Sequence, residues 1–282
     1  MSESFDLGVV GAGVMGSGIA QCAAQAGLAV LLIDHRGEAL AAARAGLRRG
    51  QRLARMLGAQ PSAAAPGSVE FSTDLHAIAT VGFVVESVCE RMEVKEGLFR
   101  QMDRLCPSEV CLASNTSAIP IATLAGFTQR PARVLGIHFM NPVALTTTVE
   151  LVRGPASSDD TMSVARTLLQ RLGKKHVEVR DGAGFVSNRV LMLAVNEAIA
   201  AAAEDKAAPA DIDRVFTDCL GHKMGPLATA DLVGLDVILD TLRVLAELAG
   251  PRYNPHPLLV AKVAAGQLGS KSGQGFFTHA KP

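Results

Sequence analysis

A short glycine run, Val9-Val10-Gly11-Ala12-Gly13-Val14-Met15-Gly16, constrains this chain more than any other feature. An apolar stretch (Phe5, Leu7, Val9, Val10) leads into it, and a helix-like stretch, Ser17 to Ala26, leads out. The next apolar run (Val30, Leu31, Leu32, Ile33) ends on an acid, Asp34. Strand, glycine turn, helix, strand, acid is the layout of a dinucleotide-binding βαβ unit. Gly11 permits the tight turn, Gly13 lets the backbone approach a pyrophosphate, and Gly16 lets the helix pack closely on the strand. Val14, Met15 and Gly16 open the helix, whose free N–H groups and positive dipole suit phosphates. The Asp34 carboxylate can accept hydrogen bonds from ribose hydroxyls and repels a 2′-phosphate, which favours NAD over NADP. Arg36, two residues on, weakens that preference slightly.

The chain has 282 residues, 49% of them hydrophobic, enough for two domains of ordinary size with a substantial core. Its 27 basic and 27 acidic residues give zero formal net charge, which argues against a general nucleic-acid or membrane-surface binder. Five cysteines (Cys22, Cys89, Cys106, Cys111, Cys219) form no CxxC pair and read as reduced thiols rather than disulfides or a metal site. Met1 leads directly into the first apolar run, so no signal peptide is expected. No apolar run reaches membrane-spanning length; the Ala-rich stretch after Leu191 is interrupted by Asn196, Glu197 and Glu204. A cytoplasmic protein is the expectation.

Apolar runs near 5–10, 29–33, 81–85, 110–113 and 134–138 read as strands. Helical patterns near 14–26, 37–58, 91–104 and 119–125 separate them. This alternation predicts an α/β domain: a Rossmann-type, doubly wound parallel sheet with helices on both faces. Runs at 148–152 and 176–179, flanking a helix near 159–172, extend the same sheet. Past Asp181-Gly182-Ala183-Gly184 only helical patterns follow, near 185–204, 209–219, 229–249 and 256–265, with Asp211 as an early-turn acid and Gly250 as a C-cap. The change predicts an NAD-binding domain over 1–182 and an all-α domain over 183–282. The Ala-rich segment 59–67 is expected to be a surface loop.

An enzyme that oxidises an alcohol with a nicotinamide needs a base for the hydroxyl proton, and histidine suits that task. His138 closes an apolar run (Val134, Leu135, Gly136, Ile137) and so falls at the carboxyl end of a strand, where ligands bind in such sheets. A hydrogen-bonded strand-end histidine fits the same pattern. Glu150 sits inside another apolar run, an expensive place for an acid unless it is paired; a histidine would satisfy it. Ser114-Asn115-Thr116-Ser117 also follows a strand and either binds substrate or nicotinamide ribose or caps the next helix. Asn188 and Arg189 interrupt an apolar stretch at the start of the helical domain. Arg44, Arg48, Arg52 and Arg55 recur on one helix face, with no acid between Glu38 and Glu70. They read either as a solvated face or as a holder for an external anion such as a phosphate.

Taken together these stretches resemble the 3-hydroxyacyl-CoA dehydrogenase family. The similarity runs nearly end to end: Gly11 to Gln21, Val84-Val85-Glu86 with Glu90, Ala113 to Ser117, His138-Phe139-Met140-Asn141-Pro142, Gly184-Phe185 with Asn188-Arg189, Met224-Gly225-Pro226 with Asp231, Gly234-Leu235-Asp236, and Lys271 to Phe276. The resemblance implies reversible oxidation of an L-3-hydroxyacyl thioester to the 3-oxoacyl thioester. His138 takes the place of the catalytic base and Glu150 of the acid that orients it, while Ser117 and Asn188 hold the substrate oxygen and reacting centre. Glu90, Lys95, Asn115, Asn141 and Lys271 fall on positions associated with NAD. The helical domain takes the place of a dimerisation and substrate-closing domain, which implies a homodimer.

The chain departs from the family where Val143-Ala144-Leu145-Thr146-Thr147-Thr148-Val149 precedes the acid, at Ala183, and at the arginine stripe, which stands where the family carries CoA-binding lysines. These departures leave two substrates open, an acyl-CoA or an acyl group on acyl carrier protein, the latter as in a subgroup that makes hydroxylated or alkoxylated malonyl extender units for polyketides. The Gly221-His222-Lys223-Met224 stretch is similar to that subgroup. A sugar-acid dehydrogenase and an idle dinucleotide-binding protein are further readings.

Overall fold

Eight runs of the chain form strands of one sheet in a computed structural model that describes residues 4–56 and 67–280, with the side chains of 50–56 outside the described set. The strands are β1 (Leu7–Val10), β2 (Val30–Ile33), β3 (Val69–Ser72), β4 (Phe83–Glu86), β5 (Cys111–Ser114), β6 (Val134–His138), β7 (Thr148–Arg153) and β8 (Lys175–Arg180). Their order is β3-β2-β1-β4-β5-β6-β7-β8. Strands β1, β2, β4 and β5 are buried at every residue, which is why they read as unbroken apolar runs rather than alternating ones. Strand β3 has no counterpart among the sequence expectations. It is an edge strand, Val-Glu-Phe-Ser, only half buried, so its composition carries no core signal.

The helices packed on this sheet are α1 (Val14–Gln25), α2 (Gly37–Met56), α3 (Met92–Leu105), α4 (Ile121–Ala125) and α5 (Asp159–Arg171). The Ala-rich segment, over 59–66, lies outside the described residues. From β1 through β6 all pairings are parallel. The expectation of a wholly parallel sheet needs one correction: β7 runs antiparallel to β6. Only residues 139–147 connect them, too few for a crossover helix, so the chain must turn back beside the strand it has left. The register sets His138 directly opposite Glu150.

The chain divides into two compact units, 1–182 and 183–282. The second is helical: α6 (Ser187–Ala203), α7 (Pro209–Arg214), α8 (Pro226–Val233), α9 (Leu235–Ala249) and α10 (Pro257–Ala264). Two expected helices differ in detail. The pattern over 209–219 is α7 followed by one wide π-helical turn, Val215–Cys219. The pattern over 229–249 is two helices, broken at Gly234, whose φ of 105° no α-helix accommodates.

Buried Asp231 of α8 organises the carboxyl-terminal turn. It accepts the backbone N–H groups of Phe276 and Phe277, both at 2.9 Å, and pairs with His279 Nε2 at 2.8 Å. Asp231→Ala leaves those partly buried N–H groups without their acceptor and is expected to cost about 2–4 kcal/mol, from roughly 1–3 kcal/mol per orphaned group. Urea unfolding checks this; a loss under about 1 kcal/mol contradicts the staple. Among the described residues no helix is long and apolar enough to cross a membrane.

Candidate active site

The carboxyl ends of β1, β2, β4, β5 and β6 deliver their following residues to one edge of the sheet. Between β1 and β4 the strand order switches direction, the place where ligands bind in open α/β sheets. Gly11 N–H donates to Ile33 O at 2.7 Å, so the glycine turn is anchored on β2. A Cβ on Gly11 would lie 2.4 Å from Ser87 O, and one on Gly16 would lie 1.8 Å from Gly11 O. Internal packing therefore explains those two glycines. It does not explain Gly13, the residue that caps α1, where a Cβ would meet nothing within 4 Å. Open space at the positive end of a helix is what a pyrophosphate needs, so the turn fits the dinucleotide read from the sequence. Val14 is exposed beside this space, and Met15 packs back onto the core.

Asp34 is buried at the end of β2. One of its oxygens accepts Ala12 N–H from the glycine turn at 2.8 Å, and the other accepts Arg36 N–H at 2.9 Å. Burial alone would raise its pKa, but these backbone donors and the Arg36 guanidinium outweigh it and hold the carboxyl below its usual range. An ionised carboxylate with lone pairs remaining suits a ribose diol. Pairing with Arg36 Nε at 3.3 Å also turns that arginine toward Asp34.

At the other end of the site, His138 Nδ1 lies 2.9 Å from Glu150 Oε2, and both residues are buried. A carboxylate can only accept, so Nδ1 carries the proton, and in the neutral form of the ring Nε2 is the nitrogen left to act as a base. Ser117 Oγ lies 3.2 Å from that Nε2. The acid inside the apolar run is thus paired, as its burial requires, across the β6–β7 ladder with the histidine opposite it.

Ser117 is held from below. Glu90 Oε1 accepts the N–H groups of Ser117 at 2.9 Å and Ala118 at 3.0 Å, and also the Thr116 hydroxyl. Lys95, 1% exposed, donates to Glu86 Oε1 at 2.7 Å and lies 3.3 Å from Glu90 Oε2. Glu86 in turn accepts Ser114 Oγ at 2.5 Å and Val88 N–H at 2.7 Å. Burial pushes the Glu90 pKa up, but Lys95 and the loop donors more than reverse this and lower it. The Lys95 pKa is pushed down by burial and raised overall by the two glutamates. Of the two roles open to Ser114–Ser117, helix capping falls elsewhere: Asp181, at the end of β8, accepts Ile121 N–H at 2.8 Å and Ala122 N–H at 2.7 Å.

Asn115 bridges three strand ends, donating to Ser87 Oγ at 3.2 Å and accepting Phe139 N–H at 2.9 Å. Asn141 is exposed in the β6–β7 loop. Asn188, half-buried in the first turn of α6, and Lys271, paired with Asp236, belong to the second unit. Glu86 and Asp181 were given no role by the residue-by-residue reading, and Thr116 only a share in its polar cluster. For Glu86 the signal was present, an acid closing an apolar strand, the same that marked Glu150.

The arginine stripe divides. Arg44 stacks over Phe71 at 4.5 Å. Exposed Arg48 lines, with Arg44, Leu47, Glu70 and Phe71, a surface cleft of about 450 Å³ between α2 and β3. The side chains of Arg52 and Arg55 lie outside the described residues. The stripe's apparent lack of an acid held only along the sequence, since the fold brings Glu70 into the same cleft.

The family models decide what this constellation belongs to. That for the 3-hydroxyacyl-CoA dehydrogenase NAD binding domain matches residues 6–182, and that for the same enzymes' C-terminal domain matches 184–279. The chain belongs to the 3-hydroxyacyl-CoA dehydrogenase family. A Bacillus subtilis relative named a probable 3-hydroxybutyryl-CoA dehydrogenase is 44% identical, with 98% of each chain covered. A Mycobacterium tuberculosis 3-hydroxybutyryl-CoA dehydrogenase is 40% identical over 99% of this chain and 100% of its own. The solved (S)-3-hydroxybutyryl-CoA dehydrogenase of Ralstonia eutropha superposes with a TM-score of 0.88 at 35% identity, covering 99% of this chain and 100% of that one. This family membership accounts for the Rossmann unit, the helical unit and the NAD turn together.

Proposed function

We propose that this chain is an NAD-dependent dehydrogenase of 3-hydroxyacyl-CoA thioesters, acting reversibly on short substrates of the 3-hydroxybutyryl-CoA kind. The observation that carries the reading is the Ser117–His138–Glu150 relay at the sheet edge that also bears the dinucleotide turn. Bound NAD supplies the hydride acceptor. In the oxidative direction His138 Nε2 removes the hydroxyl proton, which a neutral ring with Nδ1–H fixed on Glu150 is poised to do. Glu150 holds the ring plane and stabilises the imidazolium that results. Ser117 donates to the substrate oxygen, and Glu90 fixes the Ser117 backbone so that the hydroxyl stays beside Nε2. In reverse, the imidazolium returns the proton to the carbonyl oxygen.

Gly11, Gly13, Val14, Met15, Gly16 and Asp34 are assigned to NAD on the geometry of the turn, and Glu90, Asn115 and Asn141 on their place at the same edge. Lys95 acts on that edge through Glu86 and Glu90. For Asn188, Lys271 and the homodimer, the support is the family resemblance. Arg48, with Arg52 and Arg55, is assigned to the carrier's phosphates on charge alone.

The test follows NADH oxidation with acetoacetyl-CoA and with the same acyl group on an acyl carrier protein. Turnover of the CoA ester with kcat/KM at least about tenfold above the carrier-protein ester is expected, one factor of ten corresponding to about 1.4 kcal/mol of transition-state binding. The opposite preference transfers the reading to the carrier-protein substrate, and no turnover of either overturns it.

A further inference from the structure

The loop that joins His138 to Glu150 is clamped by a cation that plays no part in the chemistry above. Helix α5 ends in a left-handed turn at Gly173 (φ 66°), where Gly173 N–H donates to Gln170 O at 3.0 Å and Lys174 N–H to Leu169 O at 2.9 Å. This turn fixes the backbone of half-buried Lys174 and aims its side chain. The ammonium donates to Val143 O and to Thr146 O, both at 2.6 Å. The next residue continues the attachment, Lys175 N–H donating to Thr147 O at 2.8 Å.

Within the loop Pro142 O accepts the N–H groups of Leu145 and Thr146 and the Thr146 hydroxyl. Those bonds close a small turn but do not tie it to the sheet. Val143, 4% exposed, packs against Gly18 of α1, where a Cβ would lie 3.1 Å from its Cγ2. Segment 139–147 thus touches the glycine-turn helix on one side and leads into both members of the buried pair. Two carbonyls oriented toward one ammonium set its path between them.

We propose that Lys174 is a positioning residue: by holding the Val143 and Thr146 carbonyls it sets the approach of His138 to Glu150. A neutral, non-donating side chain there leaves two carbonyls without their charged donor. The loop then relaxes and the His138 ring loses its fixed orientation, while the glycine turn and the Ser117 loop, held by other groups, keep theirs. This inference rests on the proposed dehydrogenase reading.

The experiment compares the parent with Lys174→Met, Lys174→Leu and Lys174→Arg in the full chain, using acetoacetyl-CoA and NADH. For Lys174→Met, kcat is expected to fall at least about tenfold, with KM and NADH affinity within about threefold, because an orientation fault appears in kcat. Lys174→Arg, which keeps a cation able to reach both carbonyls, recovers kcat to within about threefold of the parent. A second readout needs no turnover: the downfield ring N–H proton of His138, assigned by its loss in His138→Gln, shifts or broadens in Lys174→Met and stays in place in Lys174→Arg. If Lys174→Met does not fold, Lys174→Leu is read on the same criteria. A folded neutral variant with parental kcat and an unmoved His138 resonance overturns the proposal. So does a fall in activity carried wholly by KM or NADH affinity. An inactive parent instead overturns the dehydrogenase reading, leaving the resonance to decide the role of Lys174.

Discussion

His138→Gln is expected to lower kcat by about 10³-fold, within the 10²–10⁴-fold range that a positioned acid–base group supplies. NADH affinity should stay within about threefold of the parent. The amide can still donate a hydrogen bond toward Glu150, so the buried acid retains a partner and the fold survives. It cannot take up a proton, so the substrate hydroxyl must lose its proton to water in a site built to hold a base. The NAD turn at Gly11–Gly16 and its anchor Asp34 are untouched by the change. Stopped-flow NADH binding together with steady-state acetoacetyl-CoA reduction separates the two effects. Activity within tenfold of the parent would remove His138 from the mechanism.

Lys95→Met is expected to be the most damaging single substitution to stability, by about 3–5 kcal/mol, because it removes one member of a buried ion pair and leaves the other. Lys95 is 1% and Glu86 0% exposed, with 2.7 Å between them, and half-buried Glu90 lies beside the same ammonium. The sign with pH follows from the shifts. The Glu90 pKa is lowered in the fold, so its contribution is present above the ordinary value of 4.5 and is lost as pH falls through the folded value. The Lys95 pKa is raised, so its contribution is present below 10.5 and is lost as pH rises through the folded value. At neutral pH both contributions are complete. Without Lys95, burial pushes the Glu90 carboxyl toward its neutral form, so the deficit in the variant should narrow as pH falls toward 5. Urea unfolding at pH 7 and pH 5 measures it, and an equal deficit at both would contradict the ion-pair account.

Burial explains which parts of this architecture can be read along the chain. The central strands are sheathed on both faces and announce themselves as continuous apolar runs, and the glycine turn is legible because no other residue fits at Gly11 or Gly16. Strand β3 is silent because an edge strand with exposed residues has no obligatory pattern. The break at Gly234 is hidden because apolar periodicity continues on both sides of it. The direction of β7 is hidden for another reason: an apolar run says that a strand is buried, not which way it runs.

The site divides along the same line. Single residues out of place could be seen without coordinates: an acid inside an apolar run at Glu150, a histidine at a strand end at His138, a carboxylate after the second strand at Asp34. Each is a local conflict between a residue and its neighbours, and a local conflict is visible in one dimension. Family likeness then supplied the chemistry. What joins those residues is not local. The β6–β7 ladder sets His138 opposite Glu150, Glu90 gathers the Ser117 loop from 27 residues away, and Lys174 reaches 31 residues back to Val143. These are pairings of charge and hydrogen bond across the sheet. Only the tertiary structure decides them, because a buried donor is satisfied by whatever acceptor the packing brings within about 3 Å, wherever that acceptor lies in the sequence.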